Sequence, residues 1–232
     1  MHLTFIEIPM SVSENLLTVK NTIPERVALV AVSKTMPAAT VVEAYKAGQR
    51  LFGENKVQEL TNKQPLLPAD IKWHFIGHLQ SNKVKYMASF VHMIESVDSL
   101  KLLAEINRQA EKAGSIINCL LQFHIAEEES KFGLNHEEAR QMLCDPMIPH
   151  LKNIIIAGVM GMATFTDDMA QVRKEFRQLR QTFEWLKSDF FPTDDRFREI
   201  SMGMSGDYMV AIEEGSTIVR IGSLIFGERN YS

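Results

Sequence analysis

One lysine of the sequence stands where an amine could do chemistry. Lys34 follows the apolar run "LVAVS" and precedes Pro37 in the stretch "LVAVSKTMP" (29–37). Such a run predicts a buried strand with Lys34 at its carboxyl end, where parallel α/β folds gather ligands. A half-desolvated lysine there can have a lowered pKa and attack an aldehyde as an amine nucleophile. The alternative is a lysine that extends past the strand into water, and its position alone favours that alternative.

Two segments near the end of the sequence could bind a phosphate. The first, "SMGMSGD" (201–207), has Gly203 and Gly206, which let the backbone approach a ligand, and Ser205, which offers a hydroxyl. A helix predicted to begin at its end would direct free N–H groups at an anion. The second, "RIGS" (220–223), lies on the last predicted strand, in the region where barrels often bind phosphate. With the lysine they fit a phosphorylated aldehyde, although both could be ordinary strand-to-helix turns.

Other reaction types have less support. The remaining strand ends offer Glu54, Asn55 and His78, and His74 and His78 would share a strand face. The sequence has neither H-E-x-x-H nor a cysteine–histidine cluster, so these histidines predict no metal site. It has no G-x-S-x-G, which disfavours a serine hydrolase, and no G-x-x-x-x-G-K-[ST] or G-x-G-x-x-G for a nucleotide.

Composition narrows the protein class further. The 232 residues are 45% hydrophobic and 23% charged, and the net charge of −4 gives no reason to expect nucleic acid or an anionic membrane as partner. No apolar run approaches the roughly 20 residues needed to cross a bilayer. The acidic start, with Glu7 and Glu14, differs from the basic start of a signal peptide, and two cysteines make no disulfide framework. These features predict a cytoplasmic protein.

Short apolar runs alternate with helical patterns almost from end to end, which predicts an α/β fold. The candidate strands cover residues 27–34, 50–54, 73–78, 91–97, 117–125, 154–162, 198–203 and 217–227. Amphipathic spacing predicts helices between them, most clearly over 98–114 and 171–190. Eight strands favour a single-domain (β/α)₈ barrel of the TIM type over residues 1–232. A doubly wound open sheet is the alternative, because counting strands does not establish closure.

These residues together resemble the pyridoxal-phosphate homeostasis protein family. The matching segments are "AVSKTMP", "LFGENKVQE", "WHFIGHLQSNK", "SKFG", "SMGMSGD" and "VRIGSLIFG", spread in the family's order from residue 31 to residue 227. The sequence departs from the family at Gly206, where many relatives carry an acidic residue, and at His78, a position that varies. Neither departure removes an expected cofactor contact.

The resemblance implies a barrel similar to the N-terminal domain of alanine racemases and assigns roles to its residues. Lys34 would hold pyridoxal 5′-phosphate as a Schiff base, and Asn55 would lie close to the ring. Arg220 would face the pyridine nitrogen, whose protonation its permanent charge disfavours. The phosphate would be bound by Ser205 and the amides around it, together with the second segment. The full set of implied cofactor-binding residues is Lys34, Asn55, Ser201, Gly203, Met204, Ser205, Gly206, Arg220, Gly222 and Ser223.

The resemblance also implies a role in intracellular homeostasis of pyridoxal phosphate by storage, buffering or delivery. One alternative is a racemase or related enzyme that uses the cofactor, and another is a Schiff-base aldolase that uses Lys34 alone. Alanine racemases add a second domain whose tyrosine is one of two acid/base groups, whereas only "ERNYS" follows Gly227 here, and its Tyr231 is a poor substitute. A non-catalytic carrier is therefore favoured, with weak activity left open. Its expected partners are apoenzymes that need the cofactor, and the expected state is a monomer.

Overall fold

Eight parallel strands form a closed barrel in which each strand pairs with the next and β8 returns to β1. The computed structural model describes residues 11–127 and 132–227. This closure confirms the predicted (β/α)₈ barrel and rules out the open sheet. The strands are β1 (Ala28–Val32), β2 (Leu51–Glu54), β3 (Lys72–Phe75), β4 (Val91–Val97), β5 (Ile117–Phe123), β6 (Ile154–Gly161), β7 (Glu199–Ser201) and β8 (Ile218–Ile221).

Helices surround the barrel. They are α1 (Val12–Thr22), α2 (Ala38–Lys46), α3 (Val57–Lys63), α4 (Leu100–Ala113), α5 (His136–Leu143), α6 (Met169–Asp189), α7 (Tyr208–Glu213) and α8 (Ser223–Phe226), with 3₁₀ turns at Gln64–Leu66, Ser81–Tyr86 and Ile148–His150. The best-predicted helix, α4, begins after Ser99, one residue beyond the expected cap, and ends at Gly114 in the left-handed conformation. No helix in the described ranges is long and apolar enough to cross a membrane.

Two apolar cores explain why the strands are apolar on both faces. Ala31 belongs to a large core between the barrel wall and the helices. Its neighbour Val30 belongs to a smaller core inside the barrel, with Met93, Leu120 and Met160. Because side chains alternate between the two faces of a strand, a strand with apolar surroundings on both sides has a continuous apolar sequence.

Strand register brings the predicted site residues to one end of the barrel. In the pairing of β1 with β8, Val30 lies opposite Arg220 and Ala31 opposite Ile221. The chain segments that follow β1 and β8, with Lys34 and Ser223, therefore emerge side by side at the carboxyl end.

The last predicted strand was too long. The prediction ran over 217–227, but β8 ends at Ile221 and Ser223–Phe226 forms α8. The apolar residues of α8 pack outside the barrel against α1, so hydrophobicity alone could not distinguish them from a strand. Two further predictions stay untested. Residues 128–131 and 228–232, which include part of "SKFG" and all of "ERNYS", lie outside the described residues, and a single domain over 1–232 remains a prediction.

Candidate functional site

A cavity of about 580 Å³ opens at the carboxyl end of the barrel. Eight of the ten predicted cofactor-binding residues line it. They are Lys34, Asn55, Met204, Ser205, Gly206, Arg220, Gly222 and Ser223. The other two, Ser201 and Gly203, are fully buried behind this lining. Residues as far apart in the sequence as Lys34 and Ser223 thus share one cavity because their strands are neighbours in the barrel.

Lys34 lies two residues beyond the end of β1 and is partly buried. The next residue, Thr35, has φ = 68°, the left-handed region that a threonine rarely adopts. The turn is closed by a hydrogen bond of 3.0 Å from the Met36 amide to the Ser33 carbonyl. Lys34 is therefore presented by a specific, strained turn and not by a flexible strand end.

Asn55 follows β2 and lines the same cavity. A Cβ atom on Gly77, which follows β3, would lie only 2.3 Å from the Asn55 carbonyl oxygen. Any side chain at position 77 would push Asn55 out of place, so glycine is required for this close approach. Asn55 is thus held by the packing of two neighbouring strand ends.

The loops after β7 and β8 supply a set of N–H donors around the two serines. Within the described residues, the amides of Ser205, Gly206, Ser223 and Leu224 have no hydrogen-bond acceptor. The Gly222 amide donates to Ser205 Oγ over 3.3 Å, which joins the two loops. Backbone N–H groups that converge with hydroxyls form a typical anion-binding concavity.

Two predicted members of this cradle are placed differently. The Met204 amide donates to Asp207 Oδ1 over 2.5 Å, so this N–H is already satisfied. Gly203 has φ = 96°, and a Cβ there would lie 2.6 Å from Ala211 Cβ of α7. Gly203 thus shapes the loop by allowing α7 to pack closely.

Arg220 belongs to a buried polar network below the cavity. Its Nη1 donates to Ser201 Oγ over 2.5 Å, and its Nη2 donates to the Gly161 carbonyl over 3.0 Å. Ser201 Oγ in turn donates to Glu95 Oε2 over 2.5 Å, and Arg220 Nη1 lies 3.7 Å from the same oxygen. Ser201 therefore contacts Arg220 and Glu95 and does not line the cavity.

Glu95 is the centre of this network. Its other oxygen, Oε1, lies 2.6 Å from Nδ1 of His74. Burial by itself raises the pKa of Glu95, but hydrogen bonds from His74 and Ser201 and the Arg220 charge together lower it below its usual value. Burial lowers the pKa of Arg220, which Glu95 opposes. Both groups stay charged, so Arg220 presents a fixed positive charge at the cavity floor.

Glu95 is not among the residues predicted from the sequence, and its partner His74 was predicted in a different setting. Glu95 was hidden in the candidate strand 91–97, although a carboxylate in an otherwise apolar strand was a usable signal. His74 and His78 were expected to share a strand face, but β3 ends at Phe75. His74 is buried against Glu95, whereas His78 is exposed and stacks on Phe132 at 4.3 Å between ring centres. No cluster that could hold a metal occurs among the described residues.

Glu54 was offered with Asn55 as a strand-end group, yet it points away from the cavity. It is fully buried between the barrel wall and α3. Its Oε1 accepts hydrogen bonds from Lys63 Nζ at 2.8 Å and Ser33 Oγ at 2.6 Å. Alternation along β2 directs Glu54 outwards and Asn55 inwards.

Comparison with known proteins places the chain in a family. Residues 10–230 match the family model described as "Alanine racemase, N-terminal domain". A pyridoxal phosphate homeostasis protein of Aquifex aeolicus is 39% identical over 204 residues, which cover 88% of this chain and 87% of that protein. The chain belongs to the pyridoxal phosphate homeostasis protein family. The resemblance inferred from the sequence motifs is thereby confirmed.

Solved structures of this family share the barrel. PipY of Synechococcus elongatus PCC7942 is 36% identical, and its structures with and without pyridoxal phosphate match with TM-scores of 0.84 and 0.87. Each match covers 94% of this chain and 100% of PipY. An alanine racemase from Bartonella henselae matches with a TM-score of 0.70 at 15% identity, over 94% of this chain and 63% of the racemase. That likeness concerns the fold alone.

Proposed function

We propose that the chain binds pyridoxal 5′-phosphate in the cavity at the carboxyl end of the barrel and takes part in its homeostasis. The observation that carries this proposal is one cavity that holds both a lysine amine and a cradle made of unpaired amides and two serine hydroxyls. A phosphorylated aldehyde needs both kinds of group. The names of the relatives, and the pyridoxal phosphate bound to PipY, support the same ligand.

The residues of the cavity fit this cofactor. Lys34 would attach it covalently through Nζ, and Ser205 and Ser223 with the free amides around them would bind the phosphate. Asn55 would lie near the ring, and Arg220 would face the pyridine nitrogen. Ser201 and Gly203 would act from behind, the first by holding Arg220 and the second by shaping the loop. A cavity of about 580 Å³ also leaves room beyond one small aromatic phosphate.

The fixed charge of Arg220 favours a carrier over an enzyme. Pyridoxal phosphate supplies an electrophilic carbonyl carbon and, where its ring nitrogen is protonated, an electron sink. A guanidinium remains protonated in proteins and disfavours a second positive charge on the ring nitrogen. Glu95 and Ser201 hold the guanidinium in place, so it has little freedom to move away. We therefore propose a non-catalytic protein, a cytoplasmic monomer, that stores the cofactor or delivers it to apoenzymes.

A lysine substitution tests the binding proposal. Lys34→Ala should abolish the borohydride-stable adduct yet keep weaker noncovalent binding of pyridoxal phosphate through the phosphate cradle. Lys56→Ala is the matched control, because Lys56 is exposed near the same end of the barrel but does not line the cavity. An adduct that survives in Lys34→Ala and disappears in Lys56→Ala would overturn the assignment.

A second assay separates carrier from enzyme. The loaded protein is incubated with L-alanine and other L-amino acids, and the D-isomers are measured by chiral chromatography. A carrier should give no more racemisation than free pyridoxal phosphate at the same concentration. Turnover that depends on the protein would establish the racemase alternative.

A further inference from the structure

The turn that presents Lys34 rests on a cluster of charged side chains outside the cavity. This cluster consists of Glu54 at the end of β2 and Glu59 and Lys63 of α3. Lys63 is buried to 6% exposure, and its ammonium lies 2.8 Å from Glu54 and 2.6 Å from Glu59. Glu54 is fully buried as well, and burying charged groups is costly unless they are paired and hydrogen-bonded, so the placement of Glu54 and Lys63 needs a reason beyond stability.

The cluster is hydrogen-bonded to the backbone on both sides of Lys34. Lys63 Nζ donates to the carbonyl of Ser33 over 2.7 Å, and Glu59 Oε1 accepts a hydrogen bond from the amide of Thr35. The two peptide groups that flank the cofactor lysine are thus both held by α3. Glu59 and Lys63 are four residues apart on this helix and are therefore neighbours on its surface.

These hydrogen bonds hold a residue whose backbone conformation is unfavourable. Thr35 is the one residue other than glycine with a positive φ in the described part of the chain. A left-handed conformation costs a non-glycine residue about 1–3 kcal/mol and persists only where its surroundings enforce it. Thr35 is exposed, so core packing does not impose this conformation. Within the turn it is supported by the bond from Met36 to Ser33 and by a bond of 2.6 Å from the Thr35 hydroxyl to the Lys34 carbonyl. The bond from the Thr35 amide to Glu59 adds, among the described residues, the one side-chain contact that reaches the turn amide from outside it.

We propose that Glu59, together with Lys63, is a positioning residue that holds the Ser33–Thr35 turn in the conformation from which Lys34 reaches the cofactor. The inference rests on the proposed function and adds residues that do not touch the cavity. Without Glu59, Thr35 relaxes to a negative φ and the path of the Lys34 side chain changes. The phosphate cradle, which is built from the loops after β7 and β8, is unaffected.

The main test compares Glu59→Ala with Glu59→Gln and a rescue variant. Glu59 is partly exposed, and its removal should lower the rate and affinity of covalent attachment at Lys34 by about tenfold. Glu59→Gln keeps an oxygen that can accept from the Thr35 amide and should stay within about threefold of the wild type. Glu43→Ala, an exposed glutamate on α2, is the control and should change nothing.

Thr35→Gly tests whether Glu59 acts through the backbone conformation of residue 35 and not through general stability. Glycine adopts positive φ without strain. Added to Glu59→Ala, it should therefore restore attachment to within about threefold of the wild type, while alone it should change attachment little. Equal effects of Thr35→Gly in both backgrounds would overturn the proposal, as would wild-type attachment in Glu59→Ala.

Thr35→Pro approaches the same turn without touching the charged cluster. Proline fixes φ near −65° and removes the amide that Glu59 binds. Attachment at Lys34 should fall by at least about tenfold, and attachment at the wild-type rate would contradict the proposal.

A ligand without a carbonyl distinguishes failure of the positioning role from failure of the proposed cofactor binding. 4′-Deoxypyridoxine 5′-phosphate has the ring and the phosphate but cannot react with an amine. It should bind Glu59→Ala and the wild type equally, because the cradle is intact. If the wild type forms no adduct at Lys34, the proposed function fails. If the wild type forms it and Glu59→Ala does so equally well, only the positioning role fails.

Discussion

The two halves of the barrel interior differ sharply in chemistry. Towards the amino end, Met93, Leu120 and Ile218 pack in an apolar core. Two residues later on the same faces of the same strands stand Glu95, Gln122 and Arg220, all buried. The interior therefore changes from hydrocarbon to hydrogen-bonded polar groups within one step along β4, β5 and β8.

This difference separates what stabilises the barrel from what serves the cavity. The apolar half gains free energy from burial and needs no particular partner geometry. The polar half gains less free energy from burial, and each of its polar groups costs free energy unless it is hydrogen-bonded. Stability alone therefore does not explain why it is polar. Its location directly beneath the proposed cofactor site supplies the reason for it. Substitutions in the two halves should therefore separate stability from cofactor binding.

The largest effect should come from Arg220→Met. It leaves the Glu95 carboxylate buried without its cation, which should lower the free energy of unfolding by about 3–5 kcal/mol and weaken pyridoxal phosphate binding. Adding Glu95→Gln removes the unpaired charge and should recover much of the stability but not the affinity. Denaturant unfolding and cofactor titration of both variants measure this. A double variant that binds like the wild type would show that the polar layer has no role in binding.

A slightly smaller effect, confined to stability, is expected from Leu120→Ala. Leu120 is fully buried in the apolar half, and the cavity left by its side chain should lower the free energy of unfolding by about 3 kcal/mol. The affinity of the folded fraction should stay within about twofold of the wild type. Leu66→Ala, at an exposed position, is the control for both measurements. A large loss of affinity in Leu120→Ala would show that the apolar half also affects cofactor binding.

In contrast to Leu120→Ala, the variants Ser205→Ala and Ser223→Ala should lower the affinity for pyridoxal phosphate more than the stability. Each removes one hydroxyl from the proposed phosphate cradle and should weaken binding of pyridoxal phosphate about ten- to a hundredfold, since hydrogen bonds to charged groups contribute about 1.5–3 kcal/mol. Unfolding of the cofactor-free protein should change little in Ser223→Ala. Ser205→Ala also loses the hydrogen bond from the Gly222 amide and should be destabilised by about 1 kcal/mol. Isothermal titration, with Ser188→Ala on the surface of α6 as control, measures the loss. Unchanged affinity in the double serine variant would place the phosphate elsewhere.

The smallest effect concerns pH and His92, whose ring centre lies 5.7 Å from that of His74. Burial, followed by the charges of His74 and Lys72, lowers the pKa of His92 to about 4. In the unfolded chain it is near 6.5, so the unfolded state binds more protons between these values. The stability contributed by neutral His92 is complete above pH 6.5 and is lost as the pH falls towards 4.

The change in unfolding free energy between pH 7 and pH 4.5 should therefore be smaller in His92→Gln by about 1 kcal/mol, after allowing for solvent screening. The exposed His150→Gln serves as control. An identical pH dependence in His92→Gln and the wild type would show that another group carries the effect.

The barrel was predictable from the sequence because each strand is a short apolar run followed by a helical pattern, and this signal is local. The candidate cavity was predictable in part because Lys34, Ser205 and Ser223 stand at strand ends. The Glu95 network was not, since it pairs side chains from four strands and only the closed barrel brings them together. Glu54 was misjudged for a similar reason: its partner Lys63 lies on a helix, and nothing in the strand sequence shows which face the carboxylate takes.

Attachment of pyridoxal phosphate to Lys34 can be measured by spectroscopy and mass mapping together. The purified protein is loaded with pyridoxal phosphate, its absorbance spectrum is recorded before and after borohydride reduction, and the modified peptide is identified by mass spectrometry. We expect a visible absorbance band that reduction removes and a single phosphopyridoxyl group on Lys34. A protein that stays colourless and unmodified, or one modified at a different lysine, would contradict this expectation.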